Sequence, residues 1–281
     1  MRSGAGFFAI ACVTVVLGCS GPGVNSDSGD PPTPDPGVGF ILLLSSIGPG
    51  TPDGIWNVGA DFWRSDVPLC GYFSTDYGCR ALMPCADPAR EANDASAGTL
   101  RLTTAIGNLE FPHRVETSGS AGYGDTGLGT LWNEGEPIDF SLTGDPTGVP
   151  AFSGRLTGPS MPILVSPPPQ SQFGTTTDVD GQNSLDIAWA GSASGDVLLL
   201  TTCLRPELYG YGFACRFPGS TSQATVPAEI MRGLTPTQDP DSSWTFALGG
   251  LSDVEVESGD FDVTVWALAR DWHSTFLGAV N

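Results

Sequence analysis

Residues 244–267 read WTFALGGLSDVEVESGDFDVTVWA. Trp244, Phe246 and Leu248 alternate with smaller or polar neighbours, and Val254 and Val256 alternate with Glu255 and Glu257. Phe261, Val263, Val265 and Ala267 then alternate with Asp262, Thr264 and Trp266. A period of two sends successive side chains to opposite faces, so each run predicts a half-buried strand. The same pattern recurs at Leu100 and Leu102, at Ile138, Phe140 and Leu142, and at Leu185, Ile187 and Trp189 around Asp186 and Ala188. Gly, Asn, Asp and Ser separate these runs at short intervals, which is turn chemistry between many short strands. With 38 Gly and 24 Pro in 281 residues, long helices are disfavoured throughout. The expected fold class is all-β, with two β-sandwich-type modules. One short helix is expected at residues 227–234, about two turns covering one end of a sandwich. Pro227 suits its first position, Glu229 its first turn and Gly233 its stop.

The charge excludes one class of partner. There are 31 acidic residues and 11 basic ones, all of them Arg, for a net charge of −20. Nucleic acid needs a positive counter-surface, which this chain lacks. Apolar content of 40%, with seven Trp and fourteen Phe, is too high for a wholly disordered chain. The acidic residues are spread evenly over both halves, as a solvated surface rather than a charged tail.

The first residues carry an export signal. Arg2 precedes an apolar run from Phe7 to Leu17, too short to cross a bilayer core, which takes about 20 residues. A positive start followed by such a run reads as a signal peptide, residues 1–18. Val16-Leu17-Gly18-Cys19 resembles the lipobox of bacterial lipoproteins, with a small residue before the Cys and an aliphatic one two positions earlier. The resemblance implies lipidation at Cys19, whose thiol would carry a diacylglycerol thioether and give stable membrane attachment. Ser20, where an Asp would signal inner-membrane retention, implies sorting to the outer membrane, facing the periplasm or the surface.

Residues 19–37 then form a tether. Ser20 to Gly37 reads SGPGVNSDSGDPPTPDPG, with Val24 its single aliphatic residue, too little apolar surface to order the chain. The body divides at the Pro-rich stretch 159–169 into an N-terminal β-rich domain, 38–160, and a C-terminal β-sandwich domain, 161–281. Gly148-Val149-Pro150-Ala151-Phe152, Asp186–Gly191, Gly195–Leu200, Cys215-Arg216-Phe217 and Val226-Pro227-Ala228-Glu229 resemble segments of uncharacterised lipoproteins of high-GC Gram-negative bacteria that carry Ig-like sandwiches. This resemblance implies an Ig-like fold and an envelope location, and it brings no catalytic residue with it.

Beyond Cys12 and Cys19 the chain has Cys70, Cys79, Cys85, Cys203 and Cys215. Exported thiols meet an oxidising compartment, so disulfides are expected. An odd number leaves at least one without a partner. Cys203 and Cys215 are close in sequence and apart from the rest, so they are expected to pair. Cys70 is expected to pair with Cys85 or Cys79. Zinc is disfavoured because no Cys-x-x-Cys occurs and neither His lies beside the cluster.

Several stretches could carry chemistry. His113 could serve a hydrolase with a carboxylate and one of many Ser; His273 lies near the C-terminus. A nucleophile elbow is missing from residues 191–195, where Ala193 occupies the Ser position. Residues 122–127, GYGDTG, match G-x-G-x-x-G but lack a following helix start, so they read as a Gly-rich loop rather than a dinucleotide site. Asp178 and Asp180 could contribute to a calcium loop, against the plainer reading of a turn. Glu134 and Glu136 could act as paired carboxylates on a glycoside. Tyr209, Tyr211 and Phe213, and likewise Tyr72, Phe73 and Tyr77, could grip a glycan or a protein ligand, or pack over the disulfides. The expectation is a lipid-anchored, non-enzymatic binding or structural module of the envelope, with no cofactor, metal or catalytic residue assigned. A hydrolase using His113 and a calcium-dependent adhesion module are the alternatives.

Overall fold

The computed structural model describes residues 37–48, 51–64, 77–82, 95–115, 121–169, 177–191, 194–203, 212–234 and 244–280. These form seventeen strands and one short helix. The expected all-β, sandwich-type fold is observed.

One large sheet organises the molecule. Its order is β3 (Gly78–Leu82), β14 (Gly212–Phe217), β13 (Asp196–Cys203), β16 (Trp244–Ser258), β17 (Phe261–Val280), β1 (Gly37–Gly48), β2 (Thr51–Arg64), β7 (Ala121–Leu128) and β6 (Arg114–Val115). A tenth strand, β11 (Thr177–Val179), pairs in parallel with the end of β17. Two small sheets complete the sandwiches. One runs β5 (Gly107–Pro112), β4 (Thr99–Thr104), β8 (Pro137–Leu142), β9 (Phe152–Thr157); the other runs β10 (Ile163–Ser166), β12 (Leu185–Ala190), β15 (Gln223–Val226).

The alternation in β16 fixes where the two small sheets lie. Trp244, Phe246 and Leu248 enter the core beneath β10-β12-β15, while Val254 and Val256 pack against the core beneath β5-β4-β8-β9. All five are even-numbered, and β13 pairs with β16 without a register break. Both cores therefore lie on one face of the large sheet, side by side. The opposite, outer face carries Leu198, Ala214, Leu251, Trp266 and Leu268, with Phe40, Leu42, Leu44 and Leu200 beside them.

β17 serves both cores by changing step. Phe261, Val263, Val265, Ala267 and Ala269 line the first core, and Phe276 and Val280 line the second. The parity switches because β17 advances from Arg270 to Thr275 while β16 advances only from Gly249 to Ala247. Extra residues on one strand are a bulge, which re-aims the side chains beyond it. Val254–Val256, Phe261–Ala269 and residues 37–62 thus share a core with β4 and β8, across the sequence-level division at residue 160. The Pro-rich stretch expected as a divider is itself built in. It contributes β10, and the Ser160 carbonyl sits against Gly250, where a Cβ would overlap it.

Two local expectations are corrected. The helix is one turn, α1 (Ala228–Met231), not two. Gly233 and Leu234 bond back to the carbonyls of Ile230 and Met231, a tighter closure that ends the element while burying Met231 and Leu234 in the second core. The expected Cys203–Cys215 bond is also replaced. Cys215 is bonded to Cys79, directly opposite it in β3. In the β13–β14 hairpin Cys215 faces Leu199, which leaves Cys203 four residues further along its strand. With Cys79 taken, a Cys70–Cys79 bond is also excluded; Cys70 and Cys85 lie outside the described residues.

Two measurements check this account. Gly250→Ala is expected to lower the urea unfolding midpoint, costing about 1–3 kcal/mol by overpacking against Ser160. Gly59→Ala, with only the Tyr123 carbonyl at 3.8 Å, is expected to leave the midpoint nearly unchanged. Non-reducing peptide mapping is expected to recover residues 79 and 215 in one linked peptide pair. Cys79→Ala is expected to cost about 2–5 kcal/mol, because the bond closes a loop of 136 residues.

Candidate functional site

Two polar clusters stand out, one beside each core. The first surrounds Tyr123 on β7, 5% exposed. Its hydroxyl accepts from the Ala97 N–H at 2.8 Å and donates to the Gly98 carbonyl at 2.9 Å. Burial raises its pKa above the ordinary phenol value. Residues 96–99 are stitched in turn to the loop after β8. Val149 donates to the Ser96 carbonyl, Gly144 to Ala97 and Thr143 to Thr99. Asp145 Oδ1 accepts from both the N–H and the hydroxyl of Thr147 at 2.8 Å. Those bonds, then the Ser96 hydroxyl and the nearby His113 charge, hold its pKa below the usual carboxylate range.

The structure brings His113 into this cluster, with its ring 5.3 Å from that of Tyr123. Ser96 and Asp145 complete a hydroxyl, carboxylate and imidazole neighbourhood. The Ser96 Oγ accepts from Gly98 N–H at 3.2 Å, and the same side chain helps to lower the Asp145 pKa, so the group is engaged in the turn itself. The arrangement works as a clasp between β4, β7 and the 143–149 loop.

The second cluster lies on the outer face. Arg216 points there because its neighbours Cys215 and Phe217 point into the second core. Its guanidinium donates to both oxygens of Asp253 at 2.8 and 2.9 Å and to Asp196 at 2.7 Å. This fork-on-carboxylate geometry is the strong form of an ion pair. The three side chains are 12–14% exposed. Burial opposes the Arg216 charge, but the two carboxylates outweigh it and lift the pKa further. Tyr77 completes the group. Its hydroxyl donates to Asp196 at 3.2 Å, and its ring lies 5.7 Å from the Arg216 guanidinium. The negative charge of Asp196 is the main cause of its raised pKa.

The other expected sites have ordinary places. Residues 122–127 are not a loop but the body of β7, and a Cβ at Gly127 would overlap the Trp56 ring. Asp180 accepts from Gln182 N–H at 2.8 Å and Asn183 Nδ2 at 2.6 Å, the pattern of a turn, with Asp178 exposed on β11 beside it. Among the described residues no group of three or more His, Cys, Asp and Glu side chains could hold a metal ion. Glu134 is exposed, and Glu136 accepts from Asn133 in the same turn. Phe213 is fully buried in the second core, whereas Tyr77 is 60% exposed. Cys19, Tyr72, Phe73, Tyr209 and Tyr211 lie outside the described residues, as do the side chains of Cys203 and His273. Sequence reasoning missed the Arg216 cluster. Its one visible signal was a lone Arg between two apolar residues in a chain with few cations.

No protein-family model matches the chain, and no curated protein does. Among solved structures it is similar to the IG1+IG2 segment of DIP-gamma, at 8% identity over 85% of this chain and 98% of that one, TM-score 0.20. It is also similar to the FN1–FN3 domains of chicken CNTN1, at 10% identity over 85% and 67%, TM-score 0.18. The yeast delta-COP-I mu-homology domain follows at 9% identity over 89% and 100%, TM-score 0.22. The sandwich assignment stands on this chain's own strand pairing, not on these slight likenesses.

Tyr123→Phe tests the clasp. It leaves the Ala97 N–H unsatisfied and is expected to cost about 1–3 kcal/mol at neutral pH in urea unfolding. A phenol whose pKa is raised on folding contributes fully below its unfolded value of 10.0 and loses that contribution as pH rises through the folded value. The stability gap between wild type and variant is therefore expected to narrow above pH 10.

Proposed function

We propose that this chain is a lipid-anchored, exported protein that acts as a non-enzymatic binding or structural module of the cell envelope. The lipobox-like Val16–Cys19 supports the anchor, and the Cys79–Cys215 bond supports an oxidising compartment. Both polar clusters direct their donors and acceptors at the fold itself, which favours a non-enzymatic role.

The observation that carries the binding reading is the polarity of the large sheet. The chain enters it at Gly37, whose N–H donates to Asp260 in the β16–β17 turn. Cys203, where the chain leaves for the aromatic segment 204–211, pairs with Trp244 at the other end of β16. The full length of β16, about 45 Å at ~3.3 Å per residue, separates the two ends. A tether from Cys19 would thus hold the body by one end, and the β13–β14 connection, whose sequence includes Tyr209 and Tyr211, leaves the sheet at the other. Aromatic residues in such a connection suit a glycan or a protein ligand.

The mass of the purified native polypeptide tests the anchor. It is expected to begin at Cys19 and to carry a diacylglycerol, and Cys19→Ala is expected to move the protein from the membrane to the soluble fraction. An uncut Met1 terminus, or a trimmed but unmodified one, would overturn the proposal.

A further inference from the structure

One edge of the large sheet is left largely open. β7 pairs with β2 from Tyr123 to Leu128, but β6 covers its other side only at Ala121 and Gly122. The reason is local. The chain of β6 comes from β5, which belongs to a small sheet, and Pro112 stands where the two part. Beyond Gly122 that side of β7 has no strand against it among the described residues. Gly124, Asp125 and Thr126 are exposed, and Leu128 is 81% exposed. We propose that this edge takes an extended, cationic segment of another protein as an added strand.

The backbone direction calls for an extended partner. In an antiparallel pair the N–H and C=O of one residue point to the same side, and the side alternates along the strand. The Gly129 N–H donates to the Gly54 carbonyl at 3.0 Å, on the β2 side. Gly124, Thr126 and Leu128 therefore present theirs to the open side. A row of such groups is a template for strand addition, with side chains left to choose the partner. Charge makes that choice. The Thr126 N–H is held by the Asp125 carboxylate at 2.8 Å, which blunts the middle of the edge. An incoming strand must move this carboxylate to reach the donor. A strand with Arg or Lys opposite Asp125 draws it away and gains an opposite-charge pair, whereas an acidic strand is repelled. Asp53, exposed beside Gly54, adds negative charge at the Leu128 end, and the exposed Arg114 lies at the far end, opposite Gly122. A second copy of the chain fits poorly. Two-fold antiparallel pairing about Thr126 would set both Asp125 side chains on one face, diagonal to each other, between chains of charge −20.

This edge stands or falls independently of the lipid anchor and of the aromatic segment 204–211. The probe is the peptide acetyl-Thr-Arg-Val-Arg-Val-Arg-Thr-amide, added to the purified full chain while amide hydrogen exchange is followed residue by residue. Exchange at Gly124, Thr126 and Leu128 is expected to slow several-fold, while Asp125 and Gly127, already turned to β2, change little. The same peptide with Glu for Arg, and the Arg peptide N-methylated at every backbone amide, are expected to give no protection. Asp125→Asn is expected to narrow the difference between the Arg and Glu peptides several-fold. Four results would overturn the proposal. They are no protection of 124–128 by the Arg peptide, equal protection by either control peptide, an Asp125→Asn variant that keeps the full difference, and protection that rises with protein concentration alone, the mark of a second copy.

Discussion

The hydrogen-bonded pair β16–β17 is the constraint on which the molecule depends. Every other strand of the large sheet is placed by pairing outward from it: β13, β14 and β3 on one side, β1, β2, β7 and β6 on the other, with β11 on the end of β17. Because each of its strands lines both cores, neither sandwich closes without it. The step in β17 makes this sharing possible. Without the extra residues between Arg270 and Thr275, Phe276 and Val280 would face out of the second core. The Gly249–Gly250 pair on the partner strand has a matching role. It lets the Ala269 carbonyl on one strand and the Ser160 carbonyl above the sheet approach the backbone where the two modules meet.

Charge is handled in two ways. Exposed pairs such as Arg155–Asp139 and Arg101–Glu110 sit on the small first sheet, where water screens them and their contribution is small. Arg216 is different, because it is largely shielded and holds two carboxylates at once. In a chain with 31 acidic residues and 11 cations, two Asp on neighbouring strands would repel each other without it. The cluster thus joins β13, β14 and β16 on the outer face, while the Cys79–Cys215 bond joins β14 to β3 on the inner one. The edge of the sheet is secured from both sides.

The elements were legible where the signal is local. Alternation located β4, β8, β12 and both strands of the long hairpin, because period two is set by each strand's own backbone. What failed was long-range. Cys203 and Cys215 are near in sequence, yet register, not proximity, chooses the partner, and β3 arrives beside β14 from 136 residues away. The same holds for residues 122–127. Their glycines read as a loop, but they belong to β7: Gly127 is small because Trp56 lies against it, and Tyr123 is placed to clasp residues 97 and 98. The clasp itself gathers Ser96, His113, Tyr123 and Asp145 from four separate segments, which no spacing rule reveals.

The topology also constrains when the fold can form. β1 opens the described body and pairs in parallel with β17, which closes it, in register from Gly37↔Phe261 to Ile47↔Asp271. The first core therefore lacks its central strand until nearly the whole chain is available. Non-local pairing of this kind makes folding slow, because closure entropy is spent before contacts form. A chain that waits for β17 stays without a closed first core until that strand is available, and its disulfide can form only where β3 and β14 meet. An exported protein gains from that delay, whereas a cytoplasmic one would expose its apolar strands to aggregation meanwhile. The parallel closure of the sheet by β17 thus suits the proposed export.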